Sequence, residues 1–158
     1  MIKVFELPNS SDCAYSAARI LVTSDIREFN HFWPSSNGTG SARCYVYQCS
    51  ELIELYCKAV VPARQGEPYF VAVMNKNDEP LVLLPVTIER RLTVRVLRFI
   101  DGGLSDENAP VLFERVRSWG LHDMLFVWNA LRGILRFDIA IFEKMPAYVD
   151  DLPNPLVG

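Results

Sequence analysis

The sequence predicts a mixed α/β (α+β) domain, a largely antiparallel sheet with flanking helices. Three observations carry this. Apolar runs at Tyr69–Met74, Leu81–Ile88 and Val94–Phe99 are joined by the short polar links Asn75–Glu79 and Arg90–Thr93, the pattern of an antiparallel meander. Residues 50–62 and 122–135 instead space their apolar positions as amphipathic helices do. Between the third run and the second helix stands Asp101-Gly102-Gly103, followed by a polar stretch from Ser105 to Asn108 and closed by Pro110.

The totals agree with one domain. A chain of 158 residues, half of them hydrophobic and 22% charged, can bury a sizeable core and is not compositionally disordered. A net charge of −3 with no basic block gives phosphate-backbone binding little support, so nucleic acid is not an expected partner. No apolar run is long enough to span a bilayer. The opening Met-Ile-Lys-Val-Phe-Glu-Leu-Pro lacks the parts of a signal peptide, so a cytoplasmic protein is expected. Cys13, Cys44, Cys49 and Cys57 form no C-x-x-C, and His31 and His122 lie far from them. The reading is four reduced, structural thiols and no metal.

Taken in order, Ile2–Leu7 reads as a short edge strand ended by Pro8, and Ala17–Val22 as a second strand. Asp25 caps a short helix, with Glu28 at capping-box spacing, and Pro34 stops it at Trp33. Residues 35–41 are a loop by composition, and Cys44–Gln48 an extended segment. Ser50 and Glu51 open a helix whose face is Leu52, Ile53, Tyr56, Cys57 and Val60, with Pro62 at its end. In the meander Pro85 is awkward, since proline donates nothing to a ladder; a bulge or a locally unpaired strand would accommodate it. Val111–Trp119 reads as a short helix ended by Gly120, and Met124, Trp128, Leu131 and Leu135 form the stripe of the next. Phe137–Phe142 fits an interior strand in which Asp138 needs a partner or water. From Lys144 onward Pro146, Pro153 and Pro155 exclude a long regular element, leaving a proline-containing tail over residues 144–158.

The stretch from Val94 to Pro110 draws attention because ligands of open α/β sheets gather where strands empty into loops. Asp106 and Asn108 have two readings there: contacts to a ligand, or caps of a helix starting near Pro110.

The order strand, helix, meander, Gly-containing loop, helix, strand is that of the Gcn5-related N-acetyltransferase (GNAT) fold. Leu83-Leu84-Pro85-Val86, Val94–Phe99, Ser105-Asp106-Glu107-Asn108-Ala109-Pro110, Asp138-Ile139-Ala140, Glu143-Lys144-Met145-Pro146 and Asn154-Pro155-Leu156 together resemble the cellulose-biosynthesis CelD/BcsL-type acetyltransferases. The resemblance runs from about Tyr45 to Leu156. Glu107 stands where that family has an aromatic residue. The family continues into a second half of similar size, so this chain resembles the N-terminal half. The Q-x-x-G-x-G/A acyl-CoA loop is not among these residues; Asp101-Gly102-Gly103 takes its place.

The resemblance implies an N- or O-acetyltransferase linked to polysaccharide biosynthesis, with acetyl-CoA or another acyl-CoA as cosubstrate and a small-molecule or saccharide acceptor. In that role Asp106 would contact the acceptor and take its proton, Asn108 would orient it, and Asp101, Gly102, Gly103 and Ser105 would line the same cleft. A second expectation is a non-catalytic module with a degenerate fold, self-associating through an exposed sheet edge. A third is a small sensor domain whose meander and helices enclose a ligand.

Overall fold

Residues 1–8, 17–38, 40–101 and 103–157 are described by a computed structural model of the chain. Its centre is the predicted meander: β4 (Gly66–Asn75), β5 (Pro80–Arg91) and β6 (Val94–Phe99), each antiparallel to the next. The β4–β5 turn is built by Asn75, whose Oδ1 accepts the amides of Asn77 and Glu79 at 2.8 and 3.0 Å. On the outer side of β4 lie β2 (Ala17–Thr23) and then the edge strand β1 (Lys3–Glu6), both antiparallel. On the other side, β6 pairs in parallel with β8 (Ile139–Ala140). The two are linked by a crossover through α2 (Leu121–Leu135). The architecture is thus a mixed α/β fold with a mostly antiparallel sheet.

Period-2 alternation splits the core between the two faces of the sheet. Phe70, Ala72 and Met74 of β4 face Ile53 and Tyr56 of α1 (Ser50–Ala59), together with Phe29 and Trp33. Val71 and Val73 belong to the opposite core, with Met124, Val127, Leu131 and Leu135 of α2. Three of the four residues of the predicted α2 stripe are buried. Trp128, half-buried, instead joins Phe137 and Phe142 with ring centroids 5.3 and 5.5 Å away.

Four local expectations are corrected. Residues 25–33 do not form one helix: a single 3-10 turn spans Ile26–Phe29. Asp25 does cap it, accepting from the Arg27 amide, but the Glu28 carboxylate accepts from the Thr23 hydroxyl instead of completing a capping box. The extended segment at 44–48 contains a 3-10 turn, Val46–Gln48, just before α1. Val111–Trp119 is not a helix: β7 (Val111–Phe113) is a strand, followed by a 3-10 turn at Glu114–Val116. It pairs with β5 and with β3 (Ala42–Arg43), a partner no local pattern could reveal. Finally, Phe137–Phe142 is not interior: only Ile139 and Ala140 join the ladder, at the sheet's margin, and Ile139 is half exposed. Asp138 has the partner it needed, accepting the Arg95 amide at 2.7 Å.

Pro85 is resolved by a fork. β5 pairs with β7 at Val82 and Leu83 and with β6 from Val86 onward. The Pro85 carbonyl points to this side, accepting from the Ile100 amide at 3.0 Å. In a strand the N–H of a residue lies on the same side as its carbonyl, so the missing donor faces the gap between β6 and β7. The proline-containing stretch also folds back onto the core. Its hairpin, β9 (Tyr148–Val149) with β10 (Leu152–Pro153), buries Val149 and Leu152 completely.

Candidate binding cleft

The site is best built from β6. Its ladder with β8 closes with the Ile141 amide donating to the Leu97 carbonyl at 2.9 Å. Beyond that bond a cleft of about 160 Å³ opens at the carboxyl ends of the two parallel strands. Phe99 and Ile141 are its apolar part. This is where the open-sheet rule places ligands.

One wall is the loop after β6. Gly103 adopts φ 79°, a conformation that favours glycine, and Asp101 takes the Leu104 amide on its carbonyl at 3.1 Å. Asn108 is buried, and its Nδ2 donates to Asp101 Oδ2 at 2.8 Å. That bond holds the Asp101 carboxylate in place at the cleft. The opposite wall is the segment after β8. The Lys144 ammonium donates to the carbonyls of Ser105 (2.7 Å) and Gly103 (3.3 Å), and its own carbonyl accepts from the Asn108 amide at 3.1 Å. One lysine thus staples the two walls together.

The floor is ionic. Glu89, at 3% exposure, is the buried charge of β5, and its carboxylate lies 3.6 Å from Arg64, 3.5 Å from Arg91 and 3.9 Å from Arg98. Arg98 also donates to Glu143 Oε2 at 3.0 Å. Its Nε is sealed from solvent with no hydrogen-bond acceptor among the described residues. The cleft therefore carries both signs of charge: Arg64, Arg98 and Lys144 line it together with Asp101 and Glu143.

Of the residues singled out from sequence, Asp101, Gly103 and Asn108 line the cleft. Gly102 lies outside the described residues. Ser105 is completely buried behind the wall, its Oγ without a partner among the described residues. Asp106 is exposed and not part of the lining; its carboxylate accepts the Tyr47 hydroxyl at 3.4 Å and pushes that phenol's pKa up. The helix-cap reading of Asp106 and Asn108 is contradicted, because a strand and not a helix follows Pro110. Sequence reasoning missed Arg64, Glu89, Arg98, Glu143 and Lys144. A signal for Glu89 existed: it is the first charge after a nine-residue run without one, within a strand buried on both faces.

Cysteine chemistry is disfavoured at the described cysteines, Cys44, Cys49 and Cys57, each pushed up by burial; Cys13 lies outside the described residues. Burial pushes the Cys44 thiol up to about 12 and the Cys57 thiol to about 11, so neither supplies the thiolate a nucleophile needs. Among the described residues no group of three or more His, Cys, Asp and Glu side chains is arranged to hold a metal ion. Nor is any helix among them long and apolar enough to cross a membrane. Comparison of the chain with models of known protein families, with curated proteins and with solved structures finds no match.

Proposed function

We propose that the chain is an acetyltransferase-type acyltransferase of the GNAT-like, CelD/BcsL-resembling kind, and that its cleft holds the acceptor amine or hydroxyl. The observation that carries this reading is the Asp101–Asn108 pair at the carboxyl end of β6, beside the parallel β6–α2–β8 crossover. A carboxylate fixed by a buried amide can accept a proton from a nucleophile without first reorganising. The acceptor's lone pair attacks the thioester carbonyl of the acyl-CoA cosubstrate; the new C–N or C–O bond forms as the C–S bond breaks. Asp101 takes the acceptor's proton and the thiolate leaves, to be protonated as free thiol. Arg98 offers positive charge to the oxyanion of the tetrahedral intermediate. At about 160 Å³ the cleft suits the acceptor's reacting end and not a nucleotide, which leaves the body of the acyl-CoA outside it.

Calorimetric titration with acetyl-CoA tests this. Saturable binding at up to millimolar ligand, weakened by Arg98→Ala, is the expected result; no binding at those concentrations overturns the proposal.

One observation favours a second reading, a non-catalytic module that assembles through sheet edges. β1 ends the sheet on one side with Val4 exposed, and β8 ends it on the other with Ile139 half exposed. A chain that sediments as a monomer at high concentration would count against it.

A further inference from the structure

Resting on the acceptor reading of the same cleft, we infer that the acceptor is a small zwitterion of the α-amino-acid class, its ammonium on Asp101 and its carboxylate on Lys144. The argument is a ledger of charge. Glu89 is matched by Arg64, Arg91 and Arg98, and Glu143 by Arg98. Two charges on the lining stay unmatched. The Asp101 carboxylate is held by the neutral amide of Asn108, and the Lys144 ammonium by the neutral carbonyls of Gly103 and Ser105. Among the described residues no ion pair joins Asp101 to Lys144, although both are bound to the same loop. A carboxylate and an ammonium held apart by neutral scaffolding form a template of two opposite charges, and the complementary ligand carries both signs.

Size sets the rest. A cavity of about 160 Å³ is well below the size of drug-sized ligand pockets and suits a glycine- or alanine-sized molecule. A larger side chain would project through the open mouth. In the bound state the ammonium gives one proton to Asp101 before it attacks, and the second N–H proton, released as the amide forms, goes to the departing thiolate, which leaves as the free thiol. Binding and activation therefore fall on one carboxylate.

The experiment titrates the whole chain with L-alanine, alaninamide and N-acetylalanine, followed by calorimetry without any acyl donor. L-alanine should bind saturably in the millimolar range. Removing either charge should weaken binding by at least about tenfold, the worth of one charge-assisted contact. Asp101→Asn should abolish the preference for L-alanine over N-acetylalanine, and Lys144→Met the preference over alaninamide. Because the three-ligand comparison uses the unaltered chain, the result does not depend on either variant folding. Absence of saturable L-alanine binding, or equal affinity for the blocked analogues, overturns the inference. Failure here with acetyl-CoA binding intact would leave the acyltransferase proposal standing. Zwitterion binding without any acetyl-CoA binding would do the reverse.

Discussion

The two ends of strand β5 are built from opposite materials. From Leu81 to Ile88 every residue is buried, and Thr87 is the one polar side chain among them. One residue later Glu89 is equally buried, but among arginines. The first end gains stability in the ordinary way, by taking apolar surface out of water. The second gains little, because desolvating a carboxylate offsets most of what its guanidinium partners return. A buried ion cluster is therefore poor evidence of a stabilising device. Set beside an open cleft, it is better read as the machinery of a site.

That contrast can be broken at either end. Leu84→Ala, at the dry end, should lower stability by about 2–5 kcal/mol in urea unfolding, since it leaves a cavity in the α2-side core. Glu89→Gln should be milder, about 1–3 kcal/mol, because Arg64 and Arg91 are exposed enough to reach water when the carboxylate is lost. A loss for Glu89→Gln equal to that for Leu84→Ala would mean that the ionic end is structural after all.

A second ion cluster, remote from the cleft, predicts an acid transition. Hydrogen bonds from Arg117 and then Arg43 hold the Asp151 carboxyl down at about 2, tying the β9–β10 hairpin to β3 and to the turn after β7. The folded value lies below the ordinary 3.8, so this contribution is present above about 4 and is lost as the pH falls toward 2. Asp151→Asn should flatten the stability profile across that window, as read by melting temperature at each pH. The smallest effect is expected at Asp106. Its single long contact to Tyr47 is exposed, so Asp106→Asn should change stability by less than about 0.5 kcal/mol and leave ligand affinity in the cleft untouched.

The meander was legible because its runs are long, apolar and separated by turn residues, and the observed pairings keep those boundaries to within a few residues. The helix faces were legible from their period. What the sequence hid was non-local. Val111–Phe113 is too short to show any period, and its strand character comes from Arg43 and Val82, both distant in the chain. Pro85 contradicted a strand only while one partner was assumed on that side; two partners with a gap between them remove the conflict. The site was half legible for the same reason. Asp101 and Asn108 share one polar loop and could be picked together. Arg64, Glu89, Arg98 and Lys144 come from four separate segments and meet only in the folded chain. Asp106 was chosen because it sat in the polar run, where nothing local reveals that its side chain meets Tyr47 and not the cleft.

The most direct measurement is an amide NMR titration of the chain with L-alanine, the acceptor assigned to the cleft. Saturating shifts gathered at Asp101, Gly103, Asn108 and Ile141–Lys144 are the predicted result. No shifts at millimolar ligand, or shifts gathered instead on the apolar groove formed by Leu121, Leu125, Trp128 and Leu156, would contradict the assignment of the cleft.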